Sequence, residues 1–399
     1  MRLHRIPLVV TAFILLSAAA RAQNFTAGDL VVYRVGNGTA ALTNTATPVF
    51  LDEYNVSSPT TPVLSIALPT SGGNLITAEG TAINEGQLSL SANGQYLAFA
   101  GYSEAVGGSK PSNTNPTSTQ RVGATISGNG TLTVTPMGTS AFVTNNVRGA
   151  YSTNGTNLWV AGAGSGNTGG VWYTNGTGSP VQLPTSPGPA VAATRYVTAM
   201  GGQLLVNTGT AIQAVGTGLP TTTGQTSISF NLTTSGNSAS FFMADLSNAI
   251  AGPDTLYVTS TNSTANSFQK FTLTSGNFYT GTWVNSGNIA LGTLGNGNGT
   301  LGLTGVADAN GNVTIYGTSS STLFDLVDTS GYDGTLTGTP TVLATASGNE
   351  AFRGLALAPS AVPEPGETAA LLGAATLLVA GCHRRRKLRV AAAPANDLD

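Results

Sequence analysis

The chain has 399 residues, 52 of them Gly, with one Cys, 8% charged residues and a formal net charge of -2. That length suits two ordinary domains or one large all-β unit, and the scarcity of charge leaves hydroxyls and amides to hydrate the surface, which is unlike a cytosolic enzyme and typical of cell-surface and matrix proteins. The lone Cys382 excludes a disulfide framework and a thiolate metal site. Between residues 24 and 358, 13 carboxylates stand against 7 Lys or Arg, a balance that argues against nucleic-acid binding, which needs a basic patch to displace phosphate counterions.

Residues 1–22 carry Arg2 and Arg5, an apolar run from Ile6 to Ala19, and Ala20-Arg21-Ala22. This is the pattern of a secretory signal peptide, with Ala20 and Ala22 as the small residues before cleavage. The apolar run is short for a membrane span of about 20 residues, so export with removal of the leader is expected.

The body, residues 23–357, lacks long stretches of strong helix formers. It is punctuated by Asn93-Gly94, Asn129-Gly130, Asn154-Gly155, Asn175-Gly176 and Asn310-Gly311, each between short β-type runs. Asn-Gly with both residues at φ > 0 suits two-residue turns between antiparallel strands. Runs that read as a first strand plus hairpin partner begin near Leu88, Arg148, Arg195, Phe241, Leu303 and Phe352. Such intervals hold four short strands, the content of a propeller blade.

The last unit, FRGLALAP from Phe352, has one strand only. Near the N-terminus, DLVVYRVGNG, TPVFLDEYN and TPVLSIALP are three strand-like runs without a first-strand partner. Three N-terminal strands plus one C-terminal strand would close the ring and leave no free sheet edge. The expected fold is an all-β, six-bladed β-propeller closed by its N-terminal strands, with a seven-bladed propeller or a pair of β-sandwiches as alternatives. Segment 104–120, rich in Pro, Ser and Asn, is expected to be a mobile surface loop inserted in a blade.

The chemistry available to this body is limited. His occurs only at His4 and His383, both in the terminal segments, so a Ser-His-Asp triad, a Cys-His pair and a His-ligated metal are all out of reach. No catalytic residue, cofactor or metal is assigned. Asp52-Glu53, Asp308, Asp325, Asp328 and Asp333 could supply a glycosidase pair, although neighbours on a strand point to opposite faces, so Asp52 and Glu53 cannot serve one site. DANGN, 308–312, begins like a Ca²⁺ loop but lacks the later Gly and Glu, and reads as a hairpin turn. GSGNTG, 164–169, matches a dinucleotide-binding glycine pattern but precedes a strand rather than a helix, and reads as loop.

Arg148, Arg195 and Arg353 are three of five arginines between residues 24 and 358, each at the start of an innermost strand. Equivalent positions in different blades fall on one ring around the channel. There the three could form a cationic mouth for an anion such as an acidic sugar, or each could be tied to a carboxylate or to backbone carbonyls between blades. Trp159, Trp172, Tyr173 and Trp283 could stack on sugars or pack between blades.

The chain ends in a Pro-rich linker, 358–367, containing Val362-Pro363-Glu364-Pro365, an apolar stretch, 368–383, and a basic cluster with Arg384, Arg385 and Arg386 that opens the tail, 384–399. The apolar stretch approaches the length needed to cross a bilayer core as a helix, and the arginines would stay cytoplasmic and stop translocation. Together these residues resemble the PEP-CTERM sorting signal, the tag of exosortase substrates in Gram-negative bacteria that make extracellular polysaccharide. The resemblance covers residues 362–389, and the trailing VAAAPANDLD is longer than usual for such tails. It implies an exosortase as processing partner, a transient inner-membrane anchor, and an outer-surface or extracellular destination. The function that follows is a non-enzymatic surface or matrix propeller binding extracellular polysaccharide or a surface protein, the alternative being a secreted carbohydrate-active enzyme using paired carboxylates.

Overall fold

The computed structural model describes residues 24–183, 193–234, 236–260, 267–295 and 301–362. The leader with Ala20 and Ala22, the motif Pro363-Glu364-Pro365, the expected transmembrane helix 368–383 and Arg384, Arg385 and Arg386 lie outside these residues. Among the described residues no helix is long and apolar enough to cross a membrane.

In chain order, the first strands are β1 (Leu30–Val35), β2 (Ala46–Thr47), β3 (Val49–Tyr54), β4 (Leu64–Ala67) and β5 (Ala78–Glu79). Blade 2 follows as β6 (Ser89–Leu90), β7 (Tyr96–Ser103), β8 (Gln120–Ser127) and β9 (Leu132–Pro136), and blade 3 as β10 (Val147–Ser152), β11 (Leu158–Gly162), β12 (Gly170–Thr174) and β13 (Val181–Gln182). Blade 4 holds β14 (Tyr196–Met200), β15 (Gln203–Asn207), β16 (Ile212–Val215) and β17 (Ser227–Ser229), and blade 5 holds β18 (Ser238–Ala244), β19 (Thr255–Ser260), β20 (Ser267–Ser275) and β21 (Thr282–Ala290). Blade 6 is β22 (Gly302–Ala307), β23 (Val313–Thr318), β24 (Thr322–Asp328) and β25 (Thr341–Thr345), after which β26 (Ala351–Leu357) completes blade 1.

Blade 1 runs β26-β1-β3-β4, and the other five blades run through four consecutive strands each. β26 pairs antiparallel with β1 from Leu30↔Leu357 to Val35↔Ala351, so the C-terminal strand is the innermost strand of the N-terminal blade. The innermost strands β6, β10, β14, β18, β22 and β26 touch in sequence around a closed ring. This is the expected six-bladed propeller, and the three N-terminal runs and FRGLALAP occupy their expected places.

Six apolar clusters fill the six junctions between consecutive blades, for example Val31, Tyr33, Leu97 and Phe99 between blades 1 and 2, and Leu30, Val32, Leu323 and Phe352 between blades 6 and 1. A blade covered on both faces needs apolar side chains on both. Hence β1 reads LVVYRV with every residue but Arg34 buried, whereas outermost β4 alternates.

The Asn-Gly turns form in all five places, but by another route than the one expected. Only the glycines have positive φ, from 68° at Gly94 to 86° at Gly155. At three of them the glycine N–H closes a turn onto the carbonyl three residues back: Ser91 for Gly94 (2.9 Å), Ser127 for Gly130 (2.8 Å) and Asp308 for Gly311 (3.1 Å). Some of the Asn side chains accept from the amides that follow instead of the Asn backbone turning left-handed, as Asn154 Oδ1 does from Thr156 N at 3.1 Å. Because strands alternate in direction, these first-to-second and third-to-fourth turns all lie on one face of the disc. The starts of the inner strands lie on the other.

Segment 104–120 also departs from expectation. It carries a short helical turn, Pro111–Asn113, with Pro111 and Ser112 buried. Lys110 N donates to Asn44 O at 2.9 Å, and the buried Arg121 donates to Ser112 O at 2.7 Å. The segment is tied to the loops beside β2 and β5 rather than lying free over the surface.

Candidate functional site

Arg148 lies in β10, Arg353 in β26, and Arg195 directly precedes β14. In two of the three strands the arginine sits at a break in register. Val147 pairs with Gly162 and Gly149 with Ala161, leaving Arg148 as the extra residue. Arg353-Gly354 likewise spans the shift between Phe352↔Arg34 and Leu355↔Val32. A bulge turns a side chain off the regular pleat, and these two turn arginines inward at the end of the channel where the inner strands begin.

There the arginines meet a segment of the chain itself. Gly80 to Gln87, which joins β5 to β6, crosses this end of the channel and touches five blades. Asn84 Oδ1 accepts from Arg195 Nη1 of blade 4 at 2.7 Å. Gly86 O accepts from Gly354 N of blade 1 at 3.0 Å, and Gln87 N donates to Arg148 O of blade 3 at 2.9 Å. Gln87 Nε2 donates to Leu301 O, at the entry to blade 6, at 2.9 Å. Glu85 Oε1 accepts from Tyr102 Oη of blade 2 at 2.6 Å.

Arg353 is 1% exposed and donates to Ala82 O at 3.2 Å, Gly80 O at 3.0 Å and its neighbour Phe352 O at 3.0 Å. Arg148 is 7% exposed and donates to Ala193 O at 3.2 Å and Thr194 O at 3.3 Å, while its Nε has no partner. Of the two anticipated arrangements, the structure thus holds Arg148 and Arg353 on backbone carbonyls. Arg195 is half-buried and is the member of the three that reaches solvent. Burial lowers Arg353 to about 10 and Arg148 to about 10, the latter helped by the Arg195 charge beside it. Both remain cations at neutral pH.

Glu85 is the acid at this end that sequence reasoning did not single out. It is 2% exposed and accepts three hydrogen bonds, from Tyr102 Oη, from Asn146 Nδ2 at 2.6 Å and from Glu79 N at 2.8 Å. Burial outweighs these donors and pushes its carboxyl up to about 7. A recurring signal could have pointed here: the Arg-Gly pairs 148–149 and 353–354 open two inner strands, and the glycines leave room for segment 86–88. A Cβ on Gly354 would lie 2.5 Å from Gly86 O and 2.6 Å from Gln87 Cα.

Four of the six acids considered for paired catalysis have partners of their own. Asp52 bonds Arg34 and Ser65. Glu53 accepts from Thr26 N. Asp328 pairs with the fully buried Lys270 at 3.0 Å and accepts from Tyr257 Oη at 2.8 Å. Asp308 holds its own turn through Asn310 N at 2.8 Å and Asn312 N at 2.9 Å, as a hairpin reading requires. Among the described residues no group of three or more His, Cys, Asp or Glu is placed to hold a metal. GSGNTG lies in the β11–β12 connection, which contains a short turn, Ser165–Asn167.

The aromatic residues pack between strands. Trp159, Trp172 and Trp283 are 2%, 7% and 5% exposed. Trp159 lies 5.9 Å from Tyr151 and 5.2 Å from Tyr173 by ring centroids, and Trp283 stacks on Phe230 at 6.0 Å. Tyr173 is half-buried and donates to Asn157 Oδ1 at 2.6 Å.

No family model and no curated protein matches this chain. Among solved structures it is similar to AofleA from Arthrobotrys oligospora, with 15% identity, 82% of this chain and 93% of that one covered, and a TM-score of 0.43. It is also similar to a hypothetical selenium-binding protein from Sulfolobus tokodaii, with 9% identity, coverage of 85% and 96%, and a TM-score of 0.44. A third likeness is to the β-propeller domain of Cps50 (Swd1) from Myceliophteria thermophila, with 11% identity, coverage of 82% and 96%, and a TM-score of 0.39. At these values the likenesses carry no functional argument, and the propeller is read from the sheet order and ring closure of this chain itself.

Proposed function

We propose that this chain is an exported surface or matrix protein whose propeller binds an acidic extracellular polysaccharide rather than catalysing a reaction. In this reading residues 1–22 are a leader cut after Ala22. Residues 362–389 are a PEP-CTERM signal that an exosortase removes after the stretch 368–383 has held the protein transiently in the inner membrane.

The observation that supports the reading best is the placement of the two ends. Phe25 N donates to Gly128 O at 2.9 Å and Ser360 N donates to Gly94 O at 2.8 Å, so both ends of the described chain meet on the face of the Asn-Gly turns. A membrane reached from that face leaves the arginine end pointing outward. There Arg195 is the contact for a sugar carboxylate, with the buried Arg148 charge beside it. The paired-carboxylate alternative is weaker, because Asp52, Glu53, Asp308 and Asp328 are each taken up by hydrogen bonds or ion pairs of their own.

Two measurements test this. Residues 23–362, with Arg195 intact or as Arg195→Gln, are applied to an array of acidic and neutral glycans. Selective binding of acidic glycans, weakened about tenfold by the substitution, is expected; no binding, or equal binding by the variant, overturns the ligand assignment. In an exosortase-bearing Gram-negative host the full chain should appear at the surface or in the medium in a shortened form. Its persistence at full length in the inner membrane would refute the sorting reading.

A further inference from the structure

The last described residues do not leave the propeller at the end of β26. Ala358 N donates to Asp29 O at 2.7 Å. Ser360 reaches the β6–β7 turn, where Gly94 O accepts both its N–H at 2.8 Å and its hydroxyl at 3.0 Å. At the β8–β9 turn Val362 is held twice, its N–H donating to Asn129 Oδ1 at 2.8 Å and its carbonyl accepting from Asn129 Nδ2 at 2.6 Å. A carboxamide presents one donor and one acceptor side by side, as a peptide unit on a neighbouring strand does, so Asn129 serves the strap as one link of a β-ladder. Gly128 makes room for it, since a Cβ there would fall on the Ser360 carbonyl.

The strap therefore crosses from blade 1 to blade 2, alongside the incoming chain at Phe25. The stretches that meet there, 24–28, 91–95, 127–131 and 358–362, contain no charged residue. A lipid headgroup layer or a membrane-embedded protein can approach such a patch without desolvating an ion. The equivalent turn of blade 3 shows that the clamp is not a general property of Asn-Gly: Asn175 Oδ1 accepts only locally, from Thr177 N at 3.0 Å and Thr177 Oγ1 at 2.7 Å.

We infer that Asn129, with Gly94 O and the bare Cα of Gly128, is a clamp that fixes the outgoing chain at Val362, so that the membrane-embedded protease acting on the residues beyond docks against this uncharged patch of the turn face. The identity of that partner rests on the sorting reading proposed above; the clamp itself does not. Asn129 is a positioning residue, acting through the strap rather than on the bond that is cut.

The test separates the two. Hydrogen exchange on the full chain reads the clamp directly: Asn129→Ala should speed exchange of the Val362 amide at least tenfold, while Asn175→Ala leaves it unchanged. Equal exchange in both variants overturns the clamp. Removal of the tail, followed by immunoblot in the exosortase-bearing host, reads the docking. Six Gly and Ser residues inserted after Val362 keep the clamp but carry the motif away from the face, and should slow removal about tenfold; unchanged removal overturns docking. The triple change Pro363→Ala, Glu364→Gln and Pro365→Ala is the control for the sorting reading. If it leaves removal unaffected, that reading fails and takes the protease with it, and the exchange result still decides the clamp.

Discussion

The two ends of the channel solve opposite problems with the same strands. At the arginine end Arg148, Arg353 and Glu85 are almost wholly withdrawn from water, the two arginines held on backbone carbonyls and the carboxyl on a hydroxyl and two amide donors. At the turn end, near blades 1 and 2, the groups that meet are uncharged amides, hydroxyls and carbonyls. The difference teaches where this fold concentrates its energy. Buried ions are costly unless fully satisfied, so the arginine end tolerates little change. At the turn end a side chain is excluded where the strap presses on Gly128, but an open turn tip such as Gly94 has nothing within 4 Å and loses little when altered.

Two glycines, one at each end, measure this contrast. Gly354 lies where segment 86–88 presses on β26, with no space for a side chain. Gly354→Val should lower stability by more than about 3 kcal/mol, or prevent closure, as read by urea unfolding. Gly94 has φ of 68° with nothing within 4 Å, so its demand is conformational only. Gly94→Ala should cost about 1 kcal/mol in the same assay. Equal losses would erase the proposed asymmetry.

Glu85 gives a test intermediate in size. Its carboxyl titrates at 4.5 when unfolded and at about 7 when folded. Between these values the folded protein holds a proton that the unfolded chain has lost. The contribution of Glu85 is therefore fully present below pH 4.5 and declines as pH rises to 7, by about 2 to 3 kcal/mol across that window. The charges that face it are Glu79, Arg121, Arg148 and Arg353, together with the hydroxyls of Tyr33 and Tyr102. Glu85→Gln should flatten this part of the stability-pH curve relative to the unsubstituted protein, measured by unfolding at fixed pH steps. A parallel curve would show that Glu85 is ionised on both sides of the window.

The ring was legible from local chemistry. The five Asn-Gly pairs singled out mark turns, and the unpaired runs DLVVYRV, TPVFLDEY and TPVLSIAL had only FRGLALA left to complete a blade. The arginine ring was legible as a position, because the register of inner strands sets it. What holds the arginines was not legible. GTAINEGQ has no strand or helix periodicity, and its bonds to Arg195, Leu301 and Gly354 join residues that only the closed ring brings together. Nor does a sequence distinguish Asn129 from Asn175, since both precede glycine in a third-to-fourth turn and differ only in whether a strap passes within reach.

Pairing of the last strand with the first sets a schedule for folding. Blade 1 keeps an open inner edge along β1 until residues 351–357 are available, so blades 2 to 6 can gather in order of synthesis while the ring stays unclosed. Closure is the longest-range event in the chain and the one with the largest loop to bring together. A polypeptide threading through a membrane pore N-terminus first would thus remain an open arc until almost its whole length had crossed. Its final shape would be set by the last strand to emerge.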